Sequence, residues 1–472
     1  MLIRDAELDF GQRRADLRVV DGMISAIAPH LERSRDEVEI PARGRALLPS
    51  LCDHHIHLLG TAAARASVDC SAAACGDADG LEQALIAADR TRRDDDWLRG
   101  VGYHGVLFEG TGSQLDRHWL DRVLPQRPVR IQHRSGRLWV LNSLALRRIG
   151  VDPEDARPPL EQDESGAATG RLYDGDAWLR ARIEQRRPCL REFSQRLWAM
   201  GVTAVTDCTH SNDAEDYAHF LEAQQQGALL QDLVVMGGTD LNRRLDTGTR
   251  RIRVGARKFH LHDHALPEYG AFKAQIRAAH AVGRNVAMHC VSRVDLTFAL
   301  AALCETGVRP GDRIEHASVA PPEAVAQMAE LGLIVVTQPA LIAERGDDYL
   351  REVEPDDQPH LYRLASLQQA GIPLALSSDA PYADIDPWRA MQAAVDRRTS
   401  AGAVIGAGEA LTPEAAYDAT AGDLDTPGKR RRLRVGGRAD MLLLDTDWAG
   451  ACADLSRVRP VVVWREGRTT IT

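Results

Sequence analysis

The stretch ALLPSLCDHHIHLLG, residues 46–60, carries three histidines and one aspartate within five positions, directly after an apolar run. The run reads as a strand entering a core, and the polar cluster falls at its end. In a strand, alternate side chains share a face. Asp53, His55 and His57 therefore point one way, and His54 and Ile56 point the other. Two imidazoles two residues apart on one face can grip a metal ion, and Asp53 beside them can orient a ligand or cap the strand end. An HxH pair by itself fits ordinary surface or core histidines equally well, so the reading depends on the rest of the chain.

Seven further apolar runs follow: VTAVTDC (202–208), LVVMGG (233–238), ARKFHLH (256–262), NVAMHC (285–290), RIEHA (313–317), LIVVTQ (333–338) and PLALSSD (373–379). Most are separated by amphipathic helical stretches such as PPEAVAQMAELG and DLTFALAALCETG. Near-continuous apolar strands alternating with helices describe a parallel sheet covered by helices. Eight of them, counting LPSLCDHHIH (49–57), predict an α/β fold, a (β/α)8 TIM barrel, over residues 49–424.

Both chain ends are short, strand-rich and alike: LIRDAELD, RADLRVVDG and MISAIAPH at one end, RADMLLLDTD and RPVVVWREG at the other. They predict a small β-sandwich domain assembled from residues 1–48 and 425–472, with the barrel inserted between them. Residues 60–200 are far too long for a simple strand-to-helix connection. They read as an insertion leaving the C-terminal end of the first strand, a lid or substrate-selecting subdomain, with a passive packing insertion as the alternative.

Composition narrows the function classes. The 472 residues carry a formal net charge of −10, so no basic surface argues for nucleic acid or anionic lipid. The first ten residues contain no apolar signal core, and no run approaches the ~18 apolar residues of a membrane span. A cytoplasmic location is expected. The eight cysteines are scattered without CxxC spacing, which speaks against a structural zinc knot or a disulfide framework. Lys258, Lys273 and Lys429 are the lysines among 58 basic residues, so a lysine in this chain sits where an arginine could not serve.

The remaining candidates fall in an ordered pattern. Lys258, His289, His316 and Asp379 each lie near the C-terminal end of a predicted strand, the fourth, fifth, sixth and eighth. That is the end at which barrel enzymes build active sites. With this pattern the chain resembles the amidohydrolase superfamily of metal-dependent hydrolases. Within it, RPVRIQHRSGRLWVLNSLALRRIGV, DESGAATGRL, GVTAVTDC, GARKFHLHD and LSSDAPYADIDPW resemble the amidohydrolase 3, YtcJ-like, group.

The resemblance implies a binuclear centre. His55, His57 and Asp379 would hold one divalent ion, His289 and His316 the other, and Lys258 carboxylated by CO2 would bridge them. Zinc is the expected metal, with iron or manganese as alternatives. An ordinary Lys258 ammonium, salt-bridged at the barrel mouth, is the competing reading. Asp379 would move the proton between the attacking water and the leaving nitrogen. The implied activity is hydrolysis of a C–N bond (amide, N-acyl amine, cyclic amide) in a small molecule. An ester or lactone substrate, heterocycle deamination and a non-catalytic relative are the alternatives. His260 and His262 share a face with Lys258 and are candidate substrate contacts, together with Tyr103 and Arg137 of the insertion; Arg137 could grip a substrate carboxylate bidentately. His54 is expected to pack behind the barrel. No nucleic-acid or membrane partner is expected, and a homodimer is what the resemblance suggests.

Overall fold

A computed structural model of the protein describes residues 1–91, 96–154, 157–183 and 187–469. Parts of the ranges expected above for the insertion and the C-terminal β domain, residues 92–95, 155–156, 184–186 and 470–472, lie outside the described residues. Contacts divide the chain into two compact units, Met1–Leu58 with Leu190–Thr472, and Leu59–Cys189.

The first unit holds an eight-stranded parallel sheet that rolls into a barrel. Its strands are β1 (Leu51–Ile56), β2 (Val202–Asp207), β3 (Asp232–Gly237), β4 (Ile252–His260), β5 (Val286–Cys290), β6 (Arg313–His316), β7 (Ile334–Thr337) and β8 (Leu374–Leu376). They pair in chain order from β1 to β8. Strands β1, β2, β3, β6, β7 and β8 are buried along their whole length, as continuous apolar runs between helices and a filled barrel interior require. Beyond the end of β8 the chain meets β1 again. The Asp379 amide donates to the His55 carbonyl at 2.8 Å, and the His57 amide donates to the Ala380 carbonyl at 2.9 Å. These two bonds draw the last strand's extension to the first.

Helices follow the strands with conventional N-terminal chemistry. Asp213 and Ser292 each form a capping box, closing the helices Ala214–Gln225 and Arg293–Thr306 at the point where four amides lack intrahelical partners. The two chain ends build two further sheets. One is four-stranded, with Leu2–Leu8 at its centre between Arg13–Val20 and Glu39–Pro41; the other joins Leu47–Pro49, Met441–Leu444 and Pro460–Trp464. Ile3, Leu17, Leu47, Met441, Leu443 and Trp464 pack into one core between them.

The second unit is built on a six-stranded sheet whose order runs Leu160–Gln162, Ala168–Tyr173, Leu138–Leu141, Val129–His133, Leu98–Tyr103, Val68–Asp69. Two apolar clusters pack on it, one around Leu81, Leu85, Leu98 and Ile131, the other around Leu141, Leu146, Leu172 and Leu179. Among the described residues, no helix is long and apolar enough to cross a membrane.

Candidate metal centre

The C-terminal ends of β1 and β8 bring two imidazoles and one carboxylate to a common point, with His316 at the end of β6 beside them. His55 Nε2 lies 3.4 Å, and His57 Nε2 3.2 Å, from Asp379 Oδ1. His316 Nδ1 is 3.9 Å from Asp379 Oδ2, and its ring centre is 4.8 Å from that of His55. Each imidazole is tied at its outer nitrogen. His55 Nδ1 is 2.7 Å from Glu315 Oε2, His57 Nδ1 is 2.9 Å from Thr209 Oγ1, and His316 Nδ1 is 2.7 Å from Gln338 Oε1. A carboxylate only accepts, so His55 carries its proton on Nδ1 and turns the Nε2 lone pair inward.

Buried polar atoms usually find hydrogen-bond partners. Here His316 Nε2, Asp379 Oδ1 and Lys258 Nζ are buried without one. Lone pairs converging on one point, with the opposite ring nitrogens anchored, is how imidazole and carboxylate ligands are presented to a divalent ion. His55, His57 and Asp379 have ligand atoms all within 4.8 Å of one another. The donors therefore suit such an ion.

Electrostatics agree with this. Burial, reinforced by the nearby Lys258 charge, lowers the His55 imidazole to about 3. Burial likewise lowers His316, and it lowers His289 well below the usual range. These rings are neutral near pH 7, with lone pairs available. Burial raises the Asp379 carboxyl, but the surrounding imidazoles outweigh it and the group stays an anion.

The backbone is arranged to hold the site. His316 and Asp379 both occupy left-handed conformations, with φ of 70° and 56°. Non-glycine residues adopt these at a cost that neighbouring contacts must offset, and such residues cluster at functional sites. Asp53 supplies part of that support. Its carboxylate accepts the Ser378 hydroxyl at 2.5 Å, the Ser378 amide at 3.1 Å and the His55 amide at 3.1 Å. Asp53 thus fastens the residue before Asp379 to the strand carrying His55.

Lys258 lies two residues before the end of β4, in the interior, 6% exposed, with its amine 3.8 Å from Glu315 Oε1. Glu315 is the residue that sequence reading passed over. It is fully buried, accepts from His55 and takes the Arg313 Nε donor at 2.6 Å. Arg313 also donates to the His54 carbonyl at 2.9 Å. The signal was present in RIEHA, where two charged residues share one face of a strand that is otherwise buried. His55, Cys208 and Glu315 also lie close enough to hold an ion. Arg313 already supplies the positive charge there, and burial keeps the Cys208 thiol protonated. Thr209 and Gln338, one or two residues past β2 and β7, were likewise unforeseen.

His289 is the penultimate residue of β5, with its ring 4.4 Å from that of His316. Register pairs His289 with His260 across β5 and β4, and their rings are 4.5 Å apart. His262 packs on His260 at 4.3 Å, and His210 stacks on His260 at 4.7 Å. His54 is buried against Cys52, with Sγ 3.6 Å from Nδ1, on the side away from the site as expected. In the second unit, Tyr103 is 3% exposed and packs on Phe108 and His133. Arg137 forms a bidentate pair with Asp174 at 2.8 and 2.7 Å.

A parallel eight-stranded barrel with histidines and an aspartate at its C-terminal strand ends, beside a β domain made from both termini, is the architecture of a metal-dependent hydrolase. Residues 38–471 match the Amidohydrolase family, and the chain belongs to it. It is similar to the N-substituted formamide deformylase of Arthrobacter pascens, 26% identical over 469 residues, covering 87% of this chain and 85% of that one. It is also 26% identical over 442 residues to the putative amidohydrolase YtcJ of Bacillus subtilis, covering 83% of this chain and 82% of that one. Among solved structures, an uncharacterized metal-dependent hydrolase from Pyrococcus horikoshii superposes with a TM-score of 0.76 at 19% identity, over 100% of this chain and 99% of that one.

Proposed function

We propose that the protein hydrolyses a C–N bond at the carbonyl of a small molecule, an amide, N-acyl amine or cyclic amide, with water activated by a divalent cation. The observation that carries this reading is the convergence of His55 Nε2, His57 Nε2 and Asp379 Oδ1 on one point while each ring's Nδ1 is tied outward. Family membership and the relative named as acting on N-substituted formamides support the bond type.

His55, His57 and Asp379 would hold the first cation, zinc being our expectation for this donor set. A cation held there would supply a Lewis acid for the substrate carbonyl and would lower the pKa of water to about 7. Everything else is supplied by the chain. Asp379 takes the proton of the attacking water on a carboxylate oxygen and delivers it to the leaving nitrogen, which would otherwise depart as a strongly basic anion. Glu315, Thr209 and Gln338 hold the three rings so that their Nε2 atoms do not swing away. His289, His316 and Lys258 are the donors the family resemblance implies for a second cation, with Lys258 carboxylated. The chain's eight cysteines are all free thiols, in keeping with a reducing cytoplasm.

The test is amine release from a panel of N-formyl amines, N-acyl amino acids and cyclic amides, with lactones alongside. Turnover of a C–N substrate that vanishes with chelator and returns with zinc is the expected result. Turnover confined to lactones would move the activity to C–O bonds. Zinc-loaded protein that turns over none of them would overturn the reading.

A further inference from the structure

We propose that His260, His262 and His289 form a second cation site in this chain. The inference rests on the metal-dependent reading above and names donors for that second ion. Ligand atoms of the three imidazoles lie within 4.8 Å of one another, as tightly grouped as those of His55, His57 and Asp379. The grouping is built by the fold. β4 and β5 are register partners that set His260 opposite His289, and His262 follows two positions later and turns back onto both rings, 4.3 and 6.0 Å from their centres.

The surroundings suit a cation better than they suit the bare rings. His210 stacks on His260, and His316 stands 4.4 Å from His289, so five imidazoles crowd together. His260 keeps surface open to solvent, so an ion could reach the group. Neutral imidazoles are good ligands for zinc, and three of them leave one tetrahedral position for water or substrate. Lys258 need not contribute, because its amine already lies beside Glu315 at 3.8 Å. The site would stand next to the first, since His316 neighbours both His289 and His55.

The experiment is zinc content per chain by elemental analysis, after dialysis against zinc and removal of loose ions. Wild type, His57→Ala, His260→Ala, His262→Ala, His262→Asn and Lys258→Ala would be compared, with circular dichroism to confirm folding. About two ions in the wild type and about one in every folded His260 and His262 variant is the expected result, with Lys258→Ala keeping about two. Cobalt-loaded His262 variants should lose part of the visible absorption that wild type shows. Folded His260 and His262 variants that keep about two ions would overturn the proposal. So would about one ion in the wild type that His57→Ala removes, which leaves the hydrolase reading intact. A wild type holding no zinc overturns the hydrolase reading as well.

Discussion

Glu315 Oε2 lies 2.7 Å from His55 Nδ1, and both side chains are buried, at 0% and 1% exposure. This contact decides which lone pair His55 presents. Glu315→Gln keeps the volume but replaces one oxygen by an amide donor that cannot accept the His55 proton. Zinc affinity should fall about 10–100-fold, as for other outer partners of metal-bound histidine. Competition with a chromophoric chelator measures it. Glu315→Ala should do more harm, because Arg313 would be left charged and unpaired at 3% exposure. Breaking a buried pair in this way costs about 3–5 kcal/mol, read as a drop in the denaturation midpoint.

Asp379→Asn should separate chemistry from fold. The amide is isosteric and can keep the backbone link to His55, but it cannot accept a proton at its nitrogen. kcat should fall by about 10²–10⁴, the range that general acid–base groups contribute. Thermal stability should change far less. An unchanged kcat in a zinc-loaded variant would remove Asp379 from the proton path.

The eight barrel strands were legible because most are buried apolar runs, and every predicted range overlaps the observed one. β4 shows the limit. It begins at Ile252, four residues before the expected start, because Arg253, Gly255 and Arg257 interrupt the apolar pattern. Gly255 is needed there: a Cβ would stand 2.4 Å from Val234 Cγ1. The sequence singled out His55, His57, His316 and Asp379 by their shared position at strand ends, and the structure brings these four side chains near one another. Their anchors were not legible, since Thr209 and Gln338 are single polar residues in loops and show their purpose only in three dimensions. The insertion's six-stranded sheet also escaped notice, because its strands are short and pair out of chain order. Arg137 and Tyr103 were chosen for chemistry alone, and their partners Asp174 and Phe108 could not be read from spacing.

Glu409 should give the protein a measurable acid sensitivity away from the site. Its carboxylate accepts the Ser366 amide at 2.8 Å, the Ser366 hydroxyl at 2.5 Å and Arg363 Nε at 3.1 Å. Burial raises its pKa, but these donors outweigh burial and the net shift is downward. A depressed carboxyl stabilises the fold above its unfolded pKa, and that contribution is lost as pH falls through the folded one. The midpoint difference between wild type and Glu409→Gln should therefore be largest at neutral pH and shrink as pH falls below the ordinary carboxyl range. A difference that stays constant over that range would show that the charge of Glu409 is not what fastens Ser366.

Asn142 tests the insertion by itself. It is fully buried, and its side chain meets four backbone groups. Oδ1 accepts the Val129 amide at 3.0 Å and the Ala145 amide at 2.9 Å, while Nδ2 donates to the carbonyls of Leu124 and Arg127 at 3.1 and 2.7 Å. It caps the helix Ser143–Arg148 and ties it to the strand Val129–His133 and to the turn before that strand. Asn142→Ala leaves those groups buried without partners, at about 1–3 kcal/mol for each that water cannot reach. Asn142→Asp keeps the acceptor for both amides but sets a carboxylate against the two carbonyls. It should be at least as damaging, because unpaired buried charge costs more than an unpaired amide. Limited proteolysis should cut both variants first within residues 59–189, with the barrel fragments persisting. Cleavage that begins equally in the barrel would show that the insertion does not lose its structure as a separate unit.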